Sequence, residues 1–256
     1  MIPMSKSFIS LLCLCGMLWV NAQDKVVGDT LPKSERYGLR AGIDLSKIVR
    51  SFLNEDYTGL EFVADYRLKE KLYLAGEFGT EEFTQQETLG SEENNTQTTL
   101  YEYTTSGTYF KAGVDYNVYD NWYGMSNMIH VGGRVAYSTH SQEVLNYRIY
   151  DSNRVWSPDE FVPGTAEIGK HDGLNALWIE AVLGIKAELF ANFYLGGSIR
   201  LGYLVNDKAA DNFPNLWIPG FQKVTDESSF GATYNYSLTY FLPLYKKKKA
   251  PKEVEE

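Results

Sequence analysis

The sequence predicts an all-β protein, an eight-stranded antiparallel up-and-down transmembrane β-barrel, and three observations predict it. Apolar and polar residues alternate with period two in eight separate segments. The connections between those segments are alternately short and long, and the chain opens on a secretory address. Composition removes the main competitors. With 44% hydrophobic and 14% aromatic residues in 256, the chain is not disordered. Beyond the N-terminus no run approaches the ~18 apolar residues of a membrane helix. A formal net charge of -9 disfavours nucleic acid as a partner.

Residues 1–22 read as a signal peptide. Lys6 supplies its positive end, Phe8 to Val20 form an apolar run too short to span a bilayer, and Val20-Asn21-Ala22 fits a small-residue cleavage site. Cys13 and Cys15 leave with it, so the mature chain is held by burial and hydrogen bonding without disulfides. An N-terminal linker is expected over residues 23–36, the barrel over 37–245 and a charged periplasmic tail over 246–256.

The eight alternating segments run over residues 39–46, 60–68, 72–79, 109–118, 129–138, 177–186, 193–202 and 232–242. In the fifth, for example, Ile129, Val131, Gly133, Val135 and Tyr137 oppose His130, Gly132, Arg134, Ala136 and Ser138. Connections after the second, fourth and sixth strands are short. Those after the first, third, fifth and seventh, over residues 49–57, 83–98, 141–173 and 206–228, are long.

The polar parity decides which face is inside. It is rich in glycine and mixes acids with bases, as a narrow lumen requires when small residues make room for long charged ones. A solvated exterior would carry fewer glycines, because Gly weakens an exposed strand. The predicted lumenal ion-pair network is Arg40, Asp44, Glu61, Asp65, Arg67, Glu77, Lys111, Asp115, Arg134, Glu180, Lys186, Glu188 and Arg200. Near-neutrality is what buried charges need. The apolar parity carries no charge at mid-strand, where Lys or Arg in hydrocarbon costs ~2–4 kcal/mol. Aromatics gather near the short-turn end, among them Tyr37, Tyr66, Tyr73, Tyr116, Tyr119, Trp122, Tyr123, Phe190, Phe193, Tyr194, Tyr240 and Tyr245, and read as an interfacial girdle.

The Asn21-Ala22-Gln23 signal end, the Tyr37-Gly38-Leu39-Arg40-Ala41-Gly42-Ile43-Asp44 opening strand and the closing Tyr236-Ser237-Leu238-Thr239-Tyr240-Phe241-Leu242 carry a resemblance. The chain resembles the small outer-membrane β-barrels of the Bacteroidetes, and within them an uncharacterised predicted-barrel family. The resemblance implies a Gram-negative outer-membrane location with both termini periplasmic. It also implies outer-membrane lipid, lipopolysaccharide and the barrel-insertion machinery as partners. It assigns no chemistry, so no functional residue carries over. The usual terminal aromatic is replaced here by Lys246 to Lys249 and an acidic end.

Function is expected in the long loops, which hold most of the net negative charge. Their acids offer hard oxygen ligands to a divalent cation shared with lipopolysaccharide phosphates, although none has a dedicated calcium-loop pattern. Trp156, Phe161, Phe213, Trp217 and Phe221 are the loop interaction candidates, as a plug, a hydrophobic mouth, a partner surface or a mutually packed cap. The expected role is non-enzymatic, structural or surface-interacting. The first alternative is uptake of a small hydrophobic solute. The second is an outer-membrane lipid hydrolase using Ser138 and His140, two apart on one face, with Glu143 the nearest acid. The three His show no metal-ligand spacing and there is no phosphate loop or nucleophile elbow, so no cofactor and no metal is expected.

Overall fold

The computed structural model describes residues 34–89, 98–119, 126–150, 161–164, 168–211, 213–223 and 229–248. The signal segment, most of the linker, the end of the tail, and Trp122, Tyr123 and Trp156 lie outside the described residues. The elements are β1 (Ser34–Asp44), α1 (Leu45–Leu53), β2 (Tyr57–Arg67), β3 (Leu72–Leu89), β4 (Thr98–Asn117), β5 (Met128–Tyr150), β6 (Phe161–Pro163), β7 (Gly169–Phe190), β8 (Phe193–Lys208), β9 (Trp217–Ile218), β10 (Gln222–Lys223) and β11 (Phe230–Lys248).

The protein is all-β around one antiparallel sheet. Its strands follow the order β1-β2-β3-β4-β5-β7-β8-β11, with β11 beside β1, so the sheet closes on itself as a ring of eight, and β6 adds a short ninth strand on β5. Every neighbour in the ring is also the next long strand in the chain. At the closing seam Gly42 is indispensable in a steric sense, because a Cβ there would fall 1.9 Å from the Leu238 carbonyl oxygen. At the short-turn end β7 passes to β8 through Ala191-Asn192, and Asn192 takes the left-handed φ of 69° that a two-residue hairpin demands.

Alternation along these strands separates two environments. Leu183, Ile199, Val131 and Phe110 stand on the outer wall at 57, 61, 52 and 55% exposure, while Arg40, Lys111 and Arg134 point into the ring at 2, 2 and 5%. The topmost outward apolar row on four adjacent strands is Phe62, Phe78, Phe110 and Tyr137, matched across the ladder. Just beyond it the outer wall turns to hydroxyls: Thr84 pairs with Thr104 (2.8 Å), Ser106 with Ser141 (3.3 Å) and Thr108 with Thr139 (3.4 Å).

Several expectations are corrected. The first strand does not run on through Leu45 and Ser46. Asp44 caps a helix instead, accepting from the Ser46 backbone N–H and hydroxyl at 2.7 Å each, so α1 takes up much of the expected loop. Two further expected loops are largely sheet, because β3–β4 and β5–β7 continue pairing well past the apolar rows, with bulges between Glu102 and Tyr103 and between His140 and Gln142. The linker is shorter than 23–36, since Ser34 already opens β1, and β11 reaches Lys248. Within the expected girdle, Tyr116, Tyr119, Phe190, Tyr240 and Tyr245 are exposed, but Tyr37, Tyr73 and Tyr194 are buried on the inward parity.

Candidate functional site: a charged interior closed by an inward loop

Each strand contributes inward side chains at every second residue, so the interior is built in layers. Nearest the short turns, Arg36 donates to Asn192 Oδ1 (2.9 Å) and lies 3.3 Å from Glu188, which also accepts from the Tyr194 hydroxyl (3.0 Å). Arg67 donates to the Arg36 and Glu70 carbonyls at 3.0 and 2.8 Å. Above them Asp65 takes Arg40 Nε at 2.7 Å and Lys186 Nζ at 2.6 Å, and the Arg40 guanidinium lies 4.9 and 5.3 Å from the centres of the Tyr73 and Tyr194 rings.

The middle layer is a chain of arginine and carboxylate. Arg134 grips Asp115 with two bonds of 2.7 and 2.9 Å and reaches Glu77 at 3.4 Å, while Arg200 binds Glu77 at 2.6 Å and lies 3.8 Å from Glu61. His130 stands 3.8 Å from Asp115. A void of about 30 Å³ among Glu77, His130, Arg134, Lys186, Arg200 and Asn235 has room for a water or two, not for a solute path. Higher still, Glu180 accepts from Lys111 and from Trp178 Nε1, both at 2.7 Å. Glu61 accepts from the Tyr109 hydroxyl (2.5 Å), and Asn235 bridges Glu61 and Asp44.

All thirteen network residues predicted from parity face inward. Three charges beyond the prediction join them: Arg36, Lys47 and Glu81. Glu81 is legible in the sequence, because it continues the parity of Glu77 and Gly79. Lys47 is not, because it enters from α1 to pair with Glu81. With these, Arg36, Arg40, Lys47, Arg67, Lys111, Arg134, Lys186 and Arg200 face Asp44, Glu61, Asp65, Glu77, Glu81, Asp115, Glu180 and Glu188, eight against eight.

The segment from residue 209 to 223 folds down into the long-strand mouth. Phe213, Trp217, Ile218 and Phe221 are 2, 3, 0 and 2% exposed, so the expectation that Phe213, Trp217 and Phe221 offer an outer contact surface is corrected: they stopper the ring. The Phe221 ring lies edge-on to Trp178 at 5.7 Å and fits only because Gly202 and Gly231 lack a Cβ, which would fall 2.8 and 3.0 Å from it. Gly220, at φ +82°, passes so close to Tyr109 that a Cβ would meet its ring at 2.6 Å. Its N–H donates to Glu81 (3.1 Å) and its carbonyl accepts from Lys111 (3.0 Å), which ties the stopper to both walls. Above it Phe213 packs against Tyr101, Tyr103 and Tyr147. Phe161 lies on β6, and its side chain is outside the described residues.

The hydrolase residues do not assemble. Ser138 is fully buried and its hydroxyl has no partner within the described residues. His140 Nε2 faces Asn215 Oδ1 at 3.3 Å, and Asn215 in turn donates to Asp207 (2.8 Å). Burial pushes the His140 imidazole below its ordinary pKa, against the opposing pull of Asn215 and Asp207. Glu143 lies past the bulge between His140 and Gln142, which shifts the parity and leaves it exposed on the outer side, opposite Lys170. Among the described residues no group of three or more His, Cys, Asp or Glu is arranged to hold a metal ion. Many acids of the expected cation-binding loops lie outside those residues.

A closed antiparallel ring with an apolar outer wall, a paired charged interior and its own inward stopper is the class that fold and site define. The chain belongs to a family known as a domain of unknown function, DUF6048, whose model matches residues 4–247. No curated protein and no solved structure matches it.

Proposed function

We propose that this protein is a non-enzymatic β-barrel of the bacterial outer membrane, with a structural or surface-interaction role and both termini in the periplasm. One observation carries the reading: polarity is inverted relative to a water-soluble ring. Sixteen charged groups converge on the interior, while Leu, Ile, Val, Phe and Tyr cover the outside on every strand of the ring. A solvated ring would leave that wall as an apolar patch far beyond the few hundred Å² that soluble monomers tolerate. In lipid the same wall is satisfied, and closure of the sheet leaves few backbone edges.

The hydroxyl belt beyond Tyr137 supports an outer interface at that height, where sugars and phosphates of lipopolysaccharide offer hydrogen-bond partners. The longer upper parts of β3, β4, β5 and β7 then project outward as the surface-exposed portion. The inward stopper and the paired interior favour a closed barrel over a porin-like channel.

Membrane fractionation followed by an unboiled gel tests this. The expected result is sedimentation with outer membranes and a band that migrates differently before and after boiling. A soluble or inner-membrane protein without that shift refutes the proposal. The second reading, uptake of a hydrophobic solute, is favoured by one observation, a gap in the wall of the ring beside the short strand β1.

A further inference from the structure

The ring is not equally tall all the way round. β1 stops at Asp44 because Asp44 caps α1, whereas its neighbours β2 and β11 continue upward to Tyr57 and Phe230. β1 meets β2 only over Leu39–Ile43 against Phe62–Tyr66. At the other seam, Gly42 lies against the Leu238 carbonyl, so the end of β1 falls below the upper third of β11. Two strand edges are thereby left without β1. α1 heals the first: its Ser51 hydroxyl accepts from the Gly59 N–H of β2 at 2.8 Å. Among the described residues no strand covers the second, the β1-facing edge of Gly231–Tyr234.

α1 is itself inside out. Lys47 points inward to Glu81, and the Arg50 guanidinium sits over Tyr57, Phe83 and Trp217 at 4.1, 4.7 and 4.9 Å. Its apolar residues Val49, Phe52 and Leu53, at i, i+3 and i+4, are 52, 85 and 82% exposed. On the far side of the gap Tyr234 and Tyr236 are exposed at 67 and 56%. The helix therefore follows the rule of the strands, polar side in and greasy side out, at the height of Leu60 and Phe62.

We propose that the gap between α1 and the upper part of β11 is a lateral binding site for a single-chain amphiphile with a cationic head, reached from the outer leaflet and stoppered by α1. This rests on the membrane reading above. The tail lies between the exposed apolar residues of α1 and the two β11 tyrosines, over the backbone edge that hydrocarbon alone leaves unsatisfied. The head replaces what α1 removes as it swings outward. Lys47 and Ser46 are the donors that α1 brings to Glu81 and Asp44, and their departure leaves those carboxylates, with Glu61 beside them, facing the gap. An ammonium fits that vacancy by charge and a carboxylate does not.

The test uses the folded full chain in phosphatidylcholine vesicles, with an ω-bromo alkylamine as quencher of the buried Trp178 and Trp217. Saturable quenching is expected for the wild type, and little for the matching ω-bromo carboxylate. Lys47→Met opens the stopper and leaves Glu81 in need of a cation, so half-saturation falls at least about tenfold. Lys47→Met/Glu81→Gln, which leaves no buried unpaired charge, opens the stopper without the preference for amine. Non-saturable quenching, equal quenching by the carboxylate, or identical curves for all three proteins overturn the proposal. The unboiled-gel shift is read on the same samples. Failure of quenching with the shift intact defeats the lateral site alone, and absence of the shift in the wild type defeats the membrane reading beneath it.

Discussion

Replacing Leu183 by arginine separates the two environments in which a ring of this kind can sit. Leu183 is 57% exposed on β7, between Val131 and Ile199 of the neighbouring strands. The outward residues Leu177 and Leu189 lie six positions to either side of it. At ~3.3 Å per residue and a strand tilt of ~45°, those limits enclose a band roughly 28 Å tall, close to the ~25 Å apolar band of a membrane barrel. Leu183 then lies near the midplane. There an arginine costs ~2–4 kcal/mol, whereas on a wall facing water an exposed substitution stays within ~0.5 kcal/mol of neutral. The gap between those figures exceeds the error of a urea titration in vesicles with the folded fraction read from unboiled gels. Leu145, 44% exposed on the upper part of β5 beyond the hydroxyl belt, supplies the control. Leu183→Arg is expected to lose ~2–4 kcal/mol and Leu145→Arg no more than ~0.5 kcal/mol. Equal, near-zero losses at both sites would refute a lipid-facing wall.

Phe221→Ala empties the cleft between Gly202, Gly231 and Trp178 and lowers stability by ~3–5 kcal/mol in the same titration; a neutral result means the inward segment is not a packed stopper. Lys111→Met leaves Glu180 without its cation and costs ~3–5 kcal/mol, and Lys111→Met/Glu180→Gln recovers most of that loss if charge rather than shape is responsible. His140, held below its ordinary 6.5 by burial, contributes stability that is complete above that value. Its contribution is lost as pH falls from there through the lower folded value, because only the unfolded chain takes up the proton at first. His140→Gln should therefore flatten the pH dependence of the urea midpoint just below 6.5, and an unchanged profile sinks the assignment. A Ser138→Ala strain should keep lipid A acylation and ester turnover at wild-type levels, and a loss of either would reinstate the hydrolase.

Period two makes the ring and its interior legible from sequence, because one shifted register moves a whole strand's charges from the inside to the outside. A strand with Arg134 on one parity and Val131, Val135 and Tyr137 on the other has little choice once its neighbours share the pattern. The same logic explains the errors. Height alone puts Tyr37, Tyr73 and Tyr194 in the girdle, although each sits on the inward parity; tyrosine suits either face because its hydroxyl finds a polar partner, as Tyr194 does at Glu188. Parity carries more information than residue type here.

The features hidden from the sequence are set by long-range packing. Residues 209–223 show no periodicity, and nothing local distinguishes an apolar loop that folds inward from one that projects. The deciding features are Gly202 and Gly231 on two other strands, whose missing side chains make the cleft for Phe221. The helix is hidden for a different reason. Leu45 and Ser46 continue the alternation of β1, and only the Asp44 side chain, free to cap, ends the strand there. That one local substitution of helix for strand shortens β1 relative to β2 and β11, and so creates the gap in the wall. A closed ring removes strand edges only if its strands reach the same height, and in this chain the N-cap aspartate decides that one of them does not.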